Sequence, residues 1–351
     1  MKKFKILSIA MMLVVLVGLN GCSLGLKGDG PDKEPKEVLK EAISNSVENT
    51  KSSEYEFSMD ADLDGPEGES PENIKFKFNL SGELDHTDLT KPKLTMKVDG
   101  TGNWDNGEMQ ELMGELRLDG EYLYFIVEKI TDFEGQFPTS MYEPYLAKWW
   151  KMAIPEGTFS EENVLAPQNK ELKQLVKGTD FFKNAKYAGI GDVKGEEVYK
   201  YEVTLDRQAV VTFLVESAKI STGEDASESE INELREALET IEISGVFYVS
   251  TADMTSRGMD GVLELEVKDG ANGTVDFSMY SWNHNKDVVI EVPEGAEEFD
   301  PMMFLFGGAM DPSMMEDMEA PMDPSMMEDM EAPMDPSMME DMEDMQLNVE
   351  M

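Results

Sequence analysis

From Glu54 to Leu63 the chain alternates without a break. Tyr55, Phe57, Met59, Ala61 and Leu63 are apolar, and Glu54, Glu56, Ser58, Asp60 and Asp62 between them are polar. A period of two belongs to a strand with one face buried and the other in water. It also fixes register, because a slip of one residue would turn every apolar side chain into solvent. Such a strand needs neighbours in a sheet and a layer over its apolar face. The cover begins just upstream. Behind Pro35, which suits a first helical turn, Val38, Leu39, Ala42, Ile43 and Val47 form one face of an amphipathic helix over residues 35–51.

The pattern continues downstream. After a turn over 64–71, Ile74, Phe76, Phe78, Leu80 and Leu84 share one side of a second strand, with a bend at Gly82. A third carries Leu94, Met96, Val98 and Trp104, bending at Gly100 and Gly102, and a fourth carries Leu112, Leu116 and Leu118. Asp119-Gly120 signals a hairpin into Tyr122–Ile130, which is apolar on both sides and so predicts a strand covered on both faces. Residues 133–157 hold three prolines and read as irregular, with Trp149-Trp150 set between Lys148 and Lys151. Leu172, Leu175 and Val176 mark a helical stretch, and 187–191 with 198–205 a hairpin around Lys194-Gly195. Asp206 caps a helix with Ala209, Val210, Phe213 and Leu214 on one side. Ser227 and Glu230 open the next as a capping box, with Ile231, Leu234, Leu238 and Ile241 together. Strands over 243–250, 261–267 and 274–282 and a short segment Val288, Ile290, Val292 close the domain.

The chain opens with Lys2, Lys3 and Lys5, an apolar run from Ile6 to Leu19, and a small residue before Cys22. That is the layout of a signal peptide, and the run is short of the ~20 residues a membrane span needs. Leu19-Asn20-Gly21-Cys22 resembles a bacterial lipobox. The resemblance implies cleavage before Cys22, a diacylglycerol on its sulfur and an acyl group on its amine. Residues 1–21 are then the signal peptide and 22–34 a lipidated flexible tether. The protein would sit on a bacterial cell membrane, facing the extracytoplasmic side, held by two or three acyl chains. The alternative is a plain secretory signal with a stray cysteine. Because Cys22 is the sole cysteine, no disulfide assists folding, and a hydrophobic core must suffice.

Composition narrows the function. Asp and Glu number 73 against 30 Lys and Arg, a net charge of −43, or about −46 once the three signal lysines are removed. So acidic a surface excludes a nucleic-acid face and repels anionic headgroups, leaving the anchor to hold the membrane. The two histidines, His86 and His284, stand beside polar residues and are expected at the surface. No G-x-S-x-G, H-E-x-x-H or phosphate loop occurs, so no enzyme, no catalytic residue and no cofactor beyond the Cys22 acyl groups is expected. A protein partner is not indicated.

The far end is a repeat. Residues 310–321 read MDPSMMEDMEAP, 322–333 repeat them unchanged, and a third copy decays from Met334. Proline in every copy forbids a continuous helix, and 300–351 are expected to be disordered. Met314, Met315 and Met318, and again Met326, Met327 and Met330, stand in Met-Met-x-x-Met order. Thioethers are soft ligands suited to Cu(I) or Ag(I), which makes a metal-handling lipoprotein an alternative. The other readings are a repeat expansion kept soluble by its acidity and a segment whose methionines dock a partner groove.

The order over residues 35–299 resembles the LppX/LprAFG-type lipoproteins of the LolA/LolB-like superfamily. Four stretches carry the resemblance: Val38–Leu63, Trp149-Trp150, Tyr199–Leu205 and Asn285–Pro293 (NKDVVIEVP). It implies an α+β fold, with a strongly curved antiparallel β-sheet, a half-barrel, packed on a few amphipathic helices. It also implies an apolar cavity between the layers that takes a lipid or other apolar ligand, in a carrier or envelope-assembly role. Lining candidates are Tyr55, Phe57, Met59, Phe76, Phe78, Leu94 and Met96 from the sheet, with Trp149, Trp150, Phe213, Leu234 and Leu238. The same positions would make an ordinary packed core, giving a ligand-free structural lipoprotein, and alternation does not separate a filled layer from a hollow one.

Overall fold

The alternating stretch forms β1 (Ser52–Asp64), and the rest of the domain pairs with it or covers it. A computed structural model of the chain describes residues 32–64, 73–103, 109–131, 143–164, 167–223, 225–266 and 272–300. The signal sequence, Cys22, the tether as far as residue 31, and the tail from residue 301 with its methionines lie outside the described residues.

The helix α1 (Pro35–Asn49) leads into β1, and β2 (Asn73–Asp85), β3 (Lys93–Gly102), β4 (Gln110–Leu118) and β5 (Tyr122–Ile130) follow as a meander. Then come β6 (Trp150–Ala153), α2 (Pro167–Gly178), the hairpin β7 (Phe182–Val193) and β8 (Glu196–Leu205), and the helices α3 (Arg207–Thr222) and α4 (Glu228–Glu239). Strands β9 (Ile241–Ser250), β10 (Ser256–Glu266), β11 (Asn272–Trp282) and β12 (Glu297–Glu298) complete one open sheet. Its order is β12-β6-β5-β4-β3-β2-β1-β11-β10-β9-β8-β7, antiparallel throughout except for β12 against β6. The architecture is α+β, as expected. The register shifts within the β4–β5, β7–β8 and β9–β10 ladders, and a ladder broken in this way bends and twists locally, as at a bulge.

The ladder carries β1's apolar face into its neighbours. Phe57 stands opposite Leu80 and Met279, Met59 opposite Phe78 and Phe277, and Ala61 opposite Phe76 and Val275. We call this the inner face. Helix α1 packs on β7 and β10, α4 on β9, and α2 bridges α1 and α3. Val38, Leu39 and Ala42 of α1 and Phe247 of β9 are 0% exposed. One contiguous cluster joins α1, α3 and α4 to β1, β2 and β7–β11. Each large apolar side chain buried in it contributes about 1.5–3 kcal/mol, which is how the fold holds without a disulfide.

The local signals take the expected forms. The Asp206 carboxylate accepts from the backbone N–H of Gln208 and Ala209, and Ser227 with Glu230 completes a capping box. Lys194 and Gly195, both at positive φ, form the two-residue turn between β7 and β8. Asp119 Oδ1 accepts from the Tyr122 backbone N–H at 2.9 Å and closes the β4–β5 turn.

Several expectations are corrected. The third strand ends at Gly102, and Trp104 lies outside the described residues. Strand β5 is not covered on both faces: Tyr124 is its one buried residue, because β5 lies near a sheet edge, away from the helices. Trp150 sits in a strand, β6, within the stretch expected to be irregular. Strands β7 and β10 begin five residues earlier than the pattern suggested, at Phe182 and Ser256. The last short segment, Val288–Val292, follows the closing strands without joining the sheet; Val288 is buried, while Val289 and Val292 are exposed.

Candidate ligand-binding face

Beyond β2 the apolar face continues where the core stops. Leu94 stands between Leu84 and Leu118, Met96 between Gly82 and Leu116, and Val98 between Leu80 and Gly114. Leu116 faces Phe125, and Leu118 faces Leu123. All these β3–β5 side chains are half-buried, and among the described residues the core cluster takes none from β3–β6. Glycines 82, 100, 102 and 114 lie on this same face, so part of its floor is backbone. At Gly82 the missing side chain lets the Tyr55 hydroxyl cross β2 and donate to the Thr95 carbonyl oxygen at 2.7 Å. Burial raises the pKa of that phenol, which therefore keeps its proton.

One polar side chain interrupts the strip. Gln110 opens β4 opposite Gly102, which stands opposite Phe76, so the ladder puts it on the inner face. It is 3% exposed, and neither its amide nitrogen nor its amide oxygen has a hydrogen-bond partner. Most buried polar groups are paired, so such a group calls for a cause. Sequence reasoning passed over it because a glutamine at a strand start looks like ordinary boundary polarity.

The twelve lining candidates fall into four groups. Phe57, Met59, Phe76, Phe213 and Leu238 are buried in the core cluster, and Phe78 and Leu234 pack against it. Tyr55, Leu94 and Met96 are half-buried on the inner face. Trp150 belongs to an aromatic group at the β6 edge, with Tyr145 at 5.2 Å and Phe299 at 5.8 Å between ring centres, and Phe125 lies 5.0 Å from Phe299. Its indole N–H donates to the Tyr145 carbonyl oxygen at 3.0 Å. Trp149 is separate. The Arg117 guanidinium lies 4.8 Å from its ring centre, and Arg117 is on the outer face of β4. Adjacent residues entering a strand point to opposite sides, so the two tryptophans do not act together.

The outer face is polar. A groove of about 580 Å³ runs across β2, β1, β11, β10 and β9 there, lined among others by Ser58, Asp60, Lys77, Asp260 and Asp276. Its groups largely satisfy one another: Lys77 pairs with Asp60, Ser58 bonds Ser278 at 2.6 Å, and the hydroxyls of Tyr248 and Tyr280 both donate to Asp260.

A second polar centre lies at the end of the sheet. Arg257, 4% exposed, pairs with Glu196 and, at 2.9 Å, with Asp253. One of its nitrogens is 2.9 Å from His284 Nδ1, and His284 Nε2 is 2.8 Å from Ser281 Oγ. This corrects the expectation of a surface His284. A guanidinium only donates, so Nδ1 accepts and Nε2 carries the hydrogen toward Ser281. That tautomer is opposite to the one that removes a proton from a serine. Burial first, then the Arg257 charge, lowers the His284 pKa to about 4. His86 is half-buried, and burial lowers its pKa as well.

Among the described residues no group of three or more His, Cys, Asp or Glu side chains could hold a metal ion, and no helix is long and apolar enough to cross a membrane. No protein-family model matches the chain, and no curated protein matches it. The solved structures to which it is similar include two mycobacterial lipoproteins of the type that the sequence resembles. LprF from Mycobacterium bovis has 10% identity over 76% of this chain and 99% of its own, at a TM-score of 0.34. Lipoprotein LppX from Mycobacterium tuberculosis has 12% identity over 74% of this chain and all of its own, at a TM-score of 0.30.

Proposed function

We propose that this chain is a membrane-anchored extracytoplasmic lipoprotein that holds a lipid or other apolar ligand on the inner face of its sheet. Cys22 carries the anchor as a diacylglyceryl thioether with an acylated amine, and the domain works outside the cytoplasm as a carrier or in envelope assembly. The observation behind the ligand reading is the apolar strip of β3–β5, which extends the inner face past the edge of the core cluster. A face of aliphatic side chains, methionine and glycine suits a flexible apolar molecule, which needs area more than directed bonds. The twelve candidates divide accordingly: the five core residues support the sheet, while Leu94 and Met96 meet the ligand.

Native mass spectrometry of the full chain carrying Cys22→Ala, purified without detergent, tests this. A stoichiometric adduct of lipid mass is the expected result. A bare mass that stays bare when lipid is added would sink the ligand reading and leave a scaffold.

A further inference from the structure

We infer that Gln110 is the polar contact for the head of the bound molecule, and that this molecule is an uncharged acyl ester or amide. The inference rests on the proposed reading of the inner face as a ligand site. On the inner face of β2, β3 and β4, Gln110 is the one polar side chain among the described residues; the other positions are aliphatic, aromatic, methionine or glycine. It is 3% exposed with both amide atoms unpartnered. A primary amide offers hydrogens and a carbonyl oxygen side by side. It therefore matches a head that accepts at a carbonyl, and also one that donates at an amide N–H or a hydroxyl.

Placement fits a head-and-chain molecule. Gln110 is at one end of β4, and from there to Leu118 the strand runs about 26 Å at ~3.3 Å per residue. Beside it lie Gly102 and Gly100, where the floor is backbone. A head at Gln110 would thus lead into a chain lying along Leu112, Val98 and Met96. Charge selects the head further. A free carboxylate would enter a protein of net charge −43, which repels it. An ammonium head would find no carboxylate on this face of β2–β4 among the described residues. A neutral head avoids both penalties.

The test compares dodecanamide with dodecane, which share chain length and differ at the head. Binding of each is measured by equilibrium dialysis on the full chain carrying Cys22→Ala, with and without Gln110→Leu. The ratio of the two affinities cancels most of the chain's own contribution. Gln110→Leu is expected to lower the amide-to-alkane ratio at least tenfold and to leave dodecane binding within about twofold. Gln110→Met, followed by a thermal melt, guards against a leucine that disturbs packing. An unchanged ratio in both variants overturns the role of Gln110 while the strip still binds chains. Dodecane binding to the parent chain without dodecanamide binding overturns the neutral polar head, and failure of both compounds to bind overturns the reading of the face itself.

Discussion

Arg257 shows how much of this fold hangs on one polar residue. Its guanidinium meets Glu196 from the β7–β8 hairpin, Asp253 and Thr255 from the β9–β10 turn, and His284 from the exit of β11. Nearby, Ser46 of α1 accepts from the Ser256 backbone N–H at 3.0 Å, tying the helix to the same corner. Asp253 feels burial most, which pushes its pKa up, yet Arg257 and its other donors hold it below the usual carboxylate range. His284 faces Arg257, Asp253 and Glu196, and its folded pKa of about 4 lies below the ~6.5 of an unfolded histidine. Above pH 6.5 both states are neutral there, and His284 adds no pH dependence. Between about 6.5 and 4 the unfolded chain binds a proton that the fold refuses, so stability falls as pH falls. The loss reaches at most about 3 kcal/mol, and His86, shifted the same way, adds to it. Urea titrations at steps from pH 7.5 to 4.5 should show this slope, and His284→Asn should flatten most of it. An identical slope in the variant would assign the acid sensitivity elsewhere.

At the scale of elements, the β9–β10 ladder depends on a residue with no side chain. Gly258 has φ of +127°, at the register shift between Ser256 and Gly258, and a Cβ there would lie 1.8 Å from the Met279 carbonyl oxygen. Gly258→Ala should therefore cost about 3 kcal/mol or more, from strain and overpacking together. Gly189 is the control: its φ is +103°, but the space around it is open, so Gly189→Ala should cost only about 1 kcal/mol. Equal urea midpoints for the two variants would show that backbone strain alone sets the cost. Strand β1 and its helix were legible because one strong period ran through each. The caps at Asp206 and Ser227 were legible because they depend on residues three apart in sequence. Strand β6 was not, since four residues among prolines carry no period and only pairing with β5 makes them a strand. The separate settings of the two tryptophans were not legible for a related reason: which face a residue takes depends on register, and Trp149 meets Arg117 while Trp150 meets Tyr145 and Phe299. The Arg257–His284 contact joins residues 27 apart in sequence, and no local spacing announces it.

Across the whole molecule the dominant number is charge. The surface carries many ion pairs, such as Lys75 with Asp62 at 2.7 Å and Lys186 with Glu202 at 3.3 Å. Their side chains are more than half exposed, where water and salt screen the attraction, so pairs of that kind add little to stability. Against them stands the mutual repulsion of 73 acidic residues met by only 30 basic ones. That repulsion acts over a Debye length, favours the expanded chain, and is screened by salt as the pairs are. Because the acids exceed the bases by so much, the repulsive term should win, and added salt should stabilise the fold. Raising KCl from 0.02 to 0.5 M should increase stability by about 1–2 kcal/mol, a rise in Tm of roughly 2–6 °C. Choline chloride at equal ionic strength should do the same, because screening does not depend on the identity of the cation. A response to KCl alone would point to specific cation binding, for which the described residues hold no ligand cluster. A fall in Tm with both salts would mean that the ion pairs outweigh the net charge. The same excess of acid repels the anionic headgroups of a lipid leaflet, so charge works against this chain's lying flat on such a surface.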